Sequence, residues 1–222
     1  MQIVHRKRAL IIFEGWVGAG KRATLKRLVG AWDPCHLSTR CAGAMEASDD
    51  ERHWLAAYWG ALPPAGDTTI FFRSWYRRLV EERASGSTDE KRWARACDEI
   101  NEFEAQQRDH GTLIVKLFFH VTPEVQAARL RERQADSWRC HLMNDDDLTG
   151  MAQRDRTVAV VNEMFVATDT RWAPWRVIDA NDKHSGRIDA LTVLAEALAK
   201  AIPAEPPAVG EKVVPFRQQK SA

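Results

Sequence analysis

The run Ile11-Ile12-Phe13-Glu14-Gly15-Trp16-Val17-Gly18-Ala19-Gly20-Lys21-Arg22-Ala23-Thr24 constrains this chain more than any other stretch. Its apolar start suits a buried parallel strand, and its glycines and lysine lead into a helical pattern ending Leu25-Lys26-Arg27-Leu28. Gly15 and Gly20 hold the two glycine positions of G-x-x-x-x-G-K, with Gly18 between them. Such a loop brings backbone N–H groups close enough to cradle phosphate oxygens, while Lys21 supplies a point charge. The next position departs from the pattern: where a Ser or Thr would meet magnesium stands Arg22, and Thr24 is the nearest hydroxyl. A ligand-free strand-to-helix turn is the competing reading, and the strand before and helix after the glycines weigh against it.

Length and composition bound the rest. With 222 residues, 45% of them hydrophobic, the chain can bury a sizeable core as one domain. Its 32 Lys and Arg against 31 Asp and Glu leave a formal net charge of +1, so no bulk attraction to nucleic acid follows and any basic surface must be local. The cysteines Cys35, Cys41, Cys97 and Cys140 form no C-x-x-C pair. Cys35-His36 with Cys41, and Cys140-His141, match none of the usual zinc spacings and read as buried or idle thiols. With no signal-like apolar core and no run of about 18 apolar residues, the expectation is a reduced, cytoplasmic protein with no membrane partner.

In chain order, a basic lead (His5, Arg6, Lys7, Arg8) enters a first strand over residues 9–14. A helix over 23–31 stops before Asp33-Pro34, and the polar stretch 35–47 reads as a connecting loop. Ser48-Asp49-Asp50-Glu51 reads as a capping box opening a helix that ends at Leu62-Pro63-Pro64, with Trp54, Tyr58 and Leu62 packing one face into the core. Thr68-Thr69-Ile70-Phe71-Phe72 is a second strand. Directly after it, Arg73-Ser74-Trp75-Tyr76-Arg77-Arg78 places arginines where an open parallel sheet has its ligand crevice, beside Lys21. Guanidinium groups there suit bidentate phosphate recognition; a solvated coat on a helix start is the other reading.

Residues 88–110 carry Trp93, Cys97, Ile100 and Phe103 at helical spacing, and 113–121 form a third strand with Lys116 in its middle. Pro123 opens a helix whose Gln126, Arg129 and Arg133 share a face, either a lid over a phosphate chain or an exposed basic surface. Residues 136–150, with Asp145-Asp146-Asp147, read as a mobile loop, followed by a helix over 151–167. A fourth strand at Trp175-Arg176-Val177-Ile178 precedes a closing helix to Ala201. From Pro203 the text loses periodicity, so one domain over 1–202 with a disordered tail over 203–222 is expected. Alternating strands and helices predict a three-layer α/β fold with a central parallel sheet.

These stretches, taken together and in order, resemble the family-2 polyphosphate kinases. The resemblance rests on Phe13-Glu14-Gly15-Trp16 with Gly20-Lys21, Leu62-Pro63 with Gly66, and Arg73-Ser74-Trp75-Tyr76 with Arg78. It continues through Asp98-Glu99-Ile100-Asn101 with Phe103-Glu104, Gly111-Thr112 with Lys116, Gln126 with Arg129 and Arg133, Thr168-Asp169-Thr170 with Ala173-Pro174-Trp175, and Asp182-Lys183 with Arg187. It implies a P-loop kinase fold with a helical lid, and phosphoryl transfer between inorganic polyphosphate and nucleotides such as ADP and ATP. Lys21 and Arg73 would be catalytic. Gly15, Gly18, Gly20, Lys21, Arg22, Thr24, Arg78, Arg129 and Arg133 would hold phosphate or nucleotide. Assembly as a homo-oligomer, or with an active relative, is compatible with it.

Three positions depart from the family pattern. Its glycine after the loop lysine aligns with Arg22. Its loop aspartate aligns with Val17, and the aspartate before Arg-Ser-Trp-Tyr aligns with Phe72. The resemblance implies Mg2+ held by those carboxylates, and neither Val17 nor Phe72 can ligate a hard cation. Glu14, Asp98 and Glu104 are the carboxylates that could take their place. The sequence therefore carries two expectations, a working polyphosphate-dependent nucleotide kinase and a relative that binds polyphosphate or nucleotide without turnover.

Overall fold

The computed structural model of the chain describes residues 1–41, 52–142 and 154–208. Its centre is strand β1, Arg8–Gly15, in which Leu10, Ile11, Ile12 and Phe13 are fully buried. A strand apolar on both faces can be satisfied only between two layers, with neighbours on both edges. On one side it pairs with β3, Thr68–Phe72, and on the other with β4, Thr112–His120. Outside these lie β2, Leu37–Cys41, and β5, Trp175–Asp179. All pairings are parallel and the order is β2-β3-β1-β4-β5.

Helix α1, Lys21–Val29, connects β1 to β2, and a short helix α2, Ala56–Trp59, precedes β3. Helices α3, Trp75–Ser85, and α4, Glu90–Asp109, lead from β3 to β4. Helices α5, Pro123–Ala135, and α6, Arg154–Thr168, lead from β4 to β5, and α7, Ser185–Ala201, closes the chain. Right-handed crossovers running in opposite directions from β1 put α1 on one face and α3, α4 and α6 on the other, and α7 packs beside α1. The expected three-layer α/β architecture is therefore present, and the direction of winding changes at β1.

Several boundaries differ from the sequence reading. The described part of the stretch read as a loop over 35–47 holds most of a short 3-10 turn, Pro34–His36, and strand β2, which makes five strands rather than four among the described residues. Its side chains beyond Leu37 are exposed, so its place rests on backbone pairing with β3 and leaves no apolar signature. Helix α1 begins at Lys21, two residues before the expected start, because Gly20 already serves as its N-cap. The capping box at Ser48–Glu51 lies outside the described residues, and the helix attached to it is the single turn α2. Tyr58 of that turn packs on Phe71 and Trp75 at ring separations of 5.7 and 5.4 Å, which is core packing as read. The acidic run Asp145–Asp147 also lies outside the described residues, and 203–208 carry no helix or strand.

A buried ion pair ties the layers together. Lys116, in the middle of β4, and Glu104, on α4, are both fully buried with Nζ and Oε2 2.9 Å apart. The three donors of Lys116 are used: it donates also to the Tyr76 hydroxyl at 3.0 Å and the Thr168 carbonyl at 2.8 Å. Tyr76 in turn donates to Glu104 at 2.6 Å. Burial and the neighbouring carboxylate raise the Tyr76 pKa, while burial lowers that of Lys116 against the pull of Glu104. Glu104 is thus committed to the core.

Candidate phosphate site

At the carboxyl end of β1 the chain turns with Gly15 at φ +122°. A Cβ there would come within 2.3 Å of the Phe119 carbonyl oxygen, so only glycine lets the loop pass this close to β4. Trp16 N then donates to that carbonyl at 3.1 Å. Gly18 and Gly20 also take left-handed conformations, φ +80° and +90°, and Gly20 delivers the chain into α1. Helix α1 has no side-chain N-cap and no acidic residue in its first turn, so its N-terminal amides and dipole are available to an anion. Lys21 is buried and folds its Nζ back on the carbonyls of Gly15 and Trp16, the latter at 2.8 Å. Thr24 lines the same cavity, with its hydroxyl on the Gly20 carbonyl at 3.4 Å.

Strand β3 ends beside this loop, since Phe72 is in register with Phe13. Arg73 follows at φ +64°, a left-handed conformation that a non-glycine residue holds only against a cost of about 1–3 kcal/mol. Its N–H donates to the Phe13 carbonyl at 3.0 Å, and Ser74 then caps α3. Ser74 donates twice to Glu14 Oε1, from its N–H at 2.6 Å and its hydroxyl at 2.8 Å. Burial raises the Glu14 pKa, opposed by these bonds and by the charges of Lys21 and Arg73. A carboxylate, a lysine and an arginine thus meet at the ends of adjacent strands, as expected where winding reverses in an open α/β sheet.

Helix α5 braces the loop. Gln126 Nε2 donates to the Val17 carbonyl at 3.0 Å, and Arg129 donates to Gly18 O at 3.1 Å and Asn181 O at 2.8 Å. The shared face read as a lid is real, but two of its three members are buried against loop carbonyls. Arg129 therefore positions the loop, and Arg133 lines the cavity beyond it. Arg154, at the start of α6, was not legible as a site residue. It is buried, donates to Gln126 Oε1 and Val121 O, and lays its guanidinium 4.4 Å from the Trp16 ring centre. Burial lowers its pKa. A single arginine after an acidic run carries no sequence signal for that role.

The resulting crevice, about 760 Å3, is lined by Gly18, Gly20, Lys21, Arg22, Thr24, Arg73, Arg129 and Arg133 of the expected set. Gly15 lines an adjoining, more apolar cavity of about 340 Å3 that shares Val17, Arg73 and Arg77 with it. Arg78 lies elsewhere. It pairs with Glu82 at 2.5 Å, lies 5.6 Å from the Trp54 ring, and lines a separate groove on the far side of α3. Successive helix residues diverge by about 100°, so only one of Arg77 and Arg78 can face the loop, and it is Arg77.

Among the described residues, the crevice lining does not fit a carboxylate-held Mg2+. Val17 and Phe72 both line the crevice, and the one carboxylate among its lining residues, Glu132, has Lys183 Nζ at 3.4 Å. Glu14 is occupied by Ser74, Glu104 by Lys116, and Asp98 is exposed on α4 and absent from the lining. Among the described residues no three His, Cys, Asp or Glu side chains group as a metal site. The described lining by itself therefore offers too few oxygen donors for an octahedral shell.

A parallel sheet with reversed winding, a glycine loop capping α1, and lysine and arginine at its mouth define a P-loop phosphate-binding unit of the kinase type. The chain belongs to the polyphosphate kinase 2 (PPK2) family, whose model matches residues 1–206. It is 34% identical over 197 residues to a polyphosphate:AMP phosphotransferase of Pseudomonas syringae pv. tomato, covering 88% of this chain and 40% of that protein. It is 35% identical over 189 residues to a GDP-polyphosphate phosphotransferase of Mycolicibacterium smegmatis, covering 84% and 66%. The crystal structure of polyphosphate kinase 2 from Arthrobacter aurescens TC1 matches with a TM-score of 0.86 at 29% identity, covering 94% of this chain and 73% of that one. The chain spans about two fifths of the length of the polyphosphate:AMP phosphotransferases it matches.

Proposed function

We propose that this chain is a polyphosphate-binding phosphotransferase unit, in which polyphosphate and the phosphate end of a nucleotide meet at the P-loop. The observation that carries it is the meeting of Lys21, Arg73 and the open N-terminus of α1 at the ends of β1 and β3. In the reaction a nucleotide phosphate oxygen attacks the terminal phosphorus of polyphosphate. The bridging P–O bond breaks, and the chain leaves one phosphate shorter. Lys21 and the loop N–H groups hold the phosphates, and Arg73 with Arg77 meets charge developing on the transferred group. Magnesium would supply charge neutralisation between phosphates in a family member that can hold it; no step here is assigned to it.

The donor set favours slow turnover. Losing a metal's placement and charge stabilisation removes several kcal/mol of barrier lowering, so the rate is expected at least about a hundredfold below that of an active relative. Binding without turnover is the second reading, favoured by the same Val17 and Phe72. Purified protein assayed for ATP from AMP or ADP plus polyphosphate, with and without Mg2+ or Mn2+, separates them. Slow but measurable ATP formation supports the phosphotransferase, and its complete absence alongside polyphosphate binding leaves the binder.

A further inference from the structure

We propose that the crevice neutralises bound polyphosphate with its own guanidinium and ammonium groups, so that polyphosphate binds without a divalent cation and divalent cations weaken the complex. The inference rests on the proposed reading of this crevice as a polyphosphate site. It goes beyond that reading in assigning the counter-charge to the protein.

Among the described residues the lining is largely of one sign: ten lysines and arginines line the crevice against one carboxylate, Glu132. They come from separate elements: Arg22 and Lys26 on α1, Arg73 and Arg77 around the start of α3, Arg133 on α5, and Arg187 on α7. A single phosphate could meet only those near the loop, whereas a linear polyanion running from the P-loop toward α7 would meet cations along its length. Clefts lined by one sign of charge concentrate such a ligand.

Two local details point the same way. The residue after the P-loop lysine, where a hydroxyl would serve a magnesium ion, is Arg22. It is exposed and forms no hydrogen bond or ion pair with the described residues. At the far wall Arg187 lines the crevice from α7, with its Nε buried and without a hydrogen-bond partner among the described residues. A divalent cation brought in on polyphosphate would meet Arg22, Lys21 and Arg73, where the described carboxylate Glu14 is taken up by Ser74, and would also mask the phosphate oxygens those groups need.

The test is an anisotropy titration of end-labelled polyphosphate of defined length with the intact chain at low salt. It is run once in EDTA and once with roughly 10 mM Mg2+, a concentration chosen to compete for exposed phosphate charge. The expected result is saturable binding in EDTA that weakens severalfold with Mg2+. The double variant Arg22→Ala with Arg187→Ala should lose about tenfold in affinity in EDTA, since each removes a charge-assisted contact. An unchanged circular dichroism melt would show that the variant is folded. Binding that requires Mg2+ overturns this inference and leaves the phosphotransferase reading standing. No binding under either condition overturns both.

Discussion

At the scale of single residues, two buried ionisable groups set measurable behaviour. The Glu14 pKa is raised on folding, chiefly by burial, so the folded protein holds that proton more tightly than the unfolded chain. Its stabilising contribution is complete below the usual glutamate value of about 4.5 and is lost as pH rises through the higher folded value. Relative to Glu14→Gln, the native protein should therefore lose stability as pH rises from about 4.5 toward 7. Urea titrations of the two proteins across that range check this, and a pH-independent difference would refute it. Lys116 is the second case. Lys116→Met leaves the Glu104 carboxylate buried without its cation and should cost about 3–5 kcal/mol in chemical denaturation. Adding Glu104→Met should recover much of that loss, because removing both charges also removes their desolvation.

At the scale of elements, the P-loop is shaped by what packs around it, and its glycines are not equivalent. Gly20 has a positive φ but nothing within 4 Å of a Cβ, so Gly20→Ala should cost only the left-handed penalty of about 1–2 kcal/mol. Gly15 has both a positive φ and the β4 backbone at 2.3 Å, so Gly15→Ala should cost clearly more and shift β1 against β4. Denaturation midpoints of the two variants, at equal slope, give the comparison; equal losses would show that the β1–β4 approach relaxes freely. The brace from α5 acts on the same loop. Gln126 and Arg129 hold the Val17 and Gly18 carbonyls, and Arg154 locks Gln126 from behind.

At the scale of the whole molecule, the proposed phosphate site draws its charge from opposite ends of the chain, and its described lining lacks carboxylates at Val17 and Phe72. Restoring those should change the chemistry. Val17→Asp with Phe72→Asp is expected to raise Mg2+-dependent ATP formation by about tenfold or more, and either change alone by less, since one carboxylate leaves the shell incomplete. Adding Arg22→Gly should help further by removing a cation from beside the ion. Initial rates with and without Mg2+ measure this. Vigorous Mg2+-dependent transfer by the unaltered chain would show that the argument from Val17 and Phe72 is wrong.

The sequence alone determined the P-loop, the α/β class and most of the strands, because these are written in local patterns: a glycine-lysine spacing, apolar runs, and breaks at Pro and Gly. It also placed Lys21 and Arg73 at one crevice, because the carboxyl ends of parallel strands share one edge of the sheet, and it left Arg133 between a lid and an exposed basic face. Tertiary structure alone decided that β2 exists, since an edge strand with exposed side chains is held by backbone bonds to β3. It turned Arg78 away and Arg77 inward, because a helix's rotation is fixed by which face it buries. And it made Arg129 and Arg154 supports of the loop: their partners are carbonyls and a ring supplied by distant segments, which no spacing along the chain encodes.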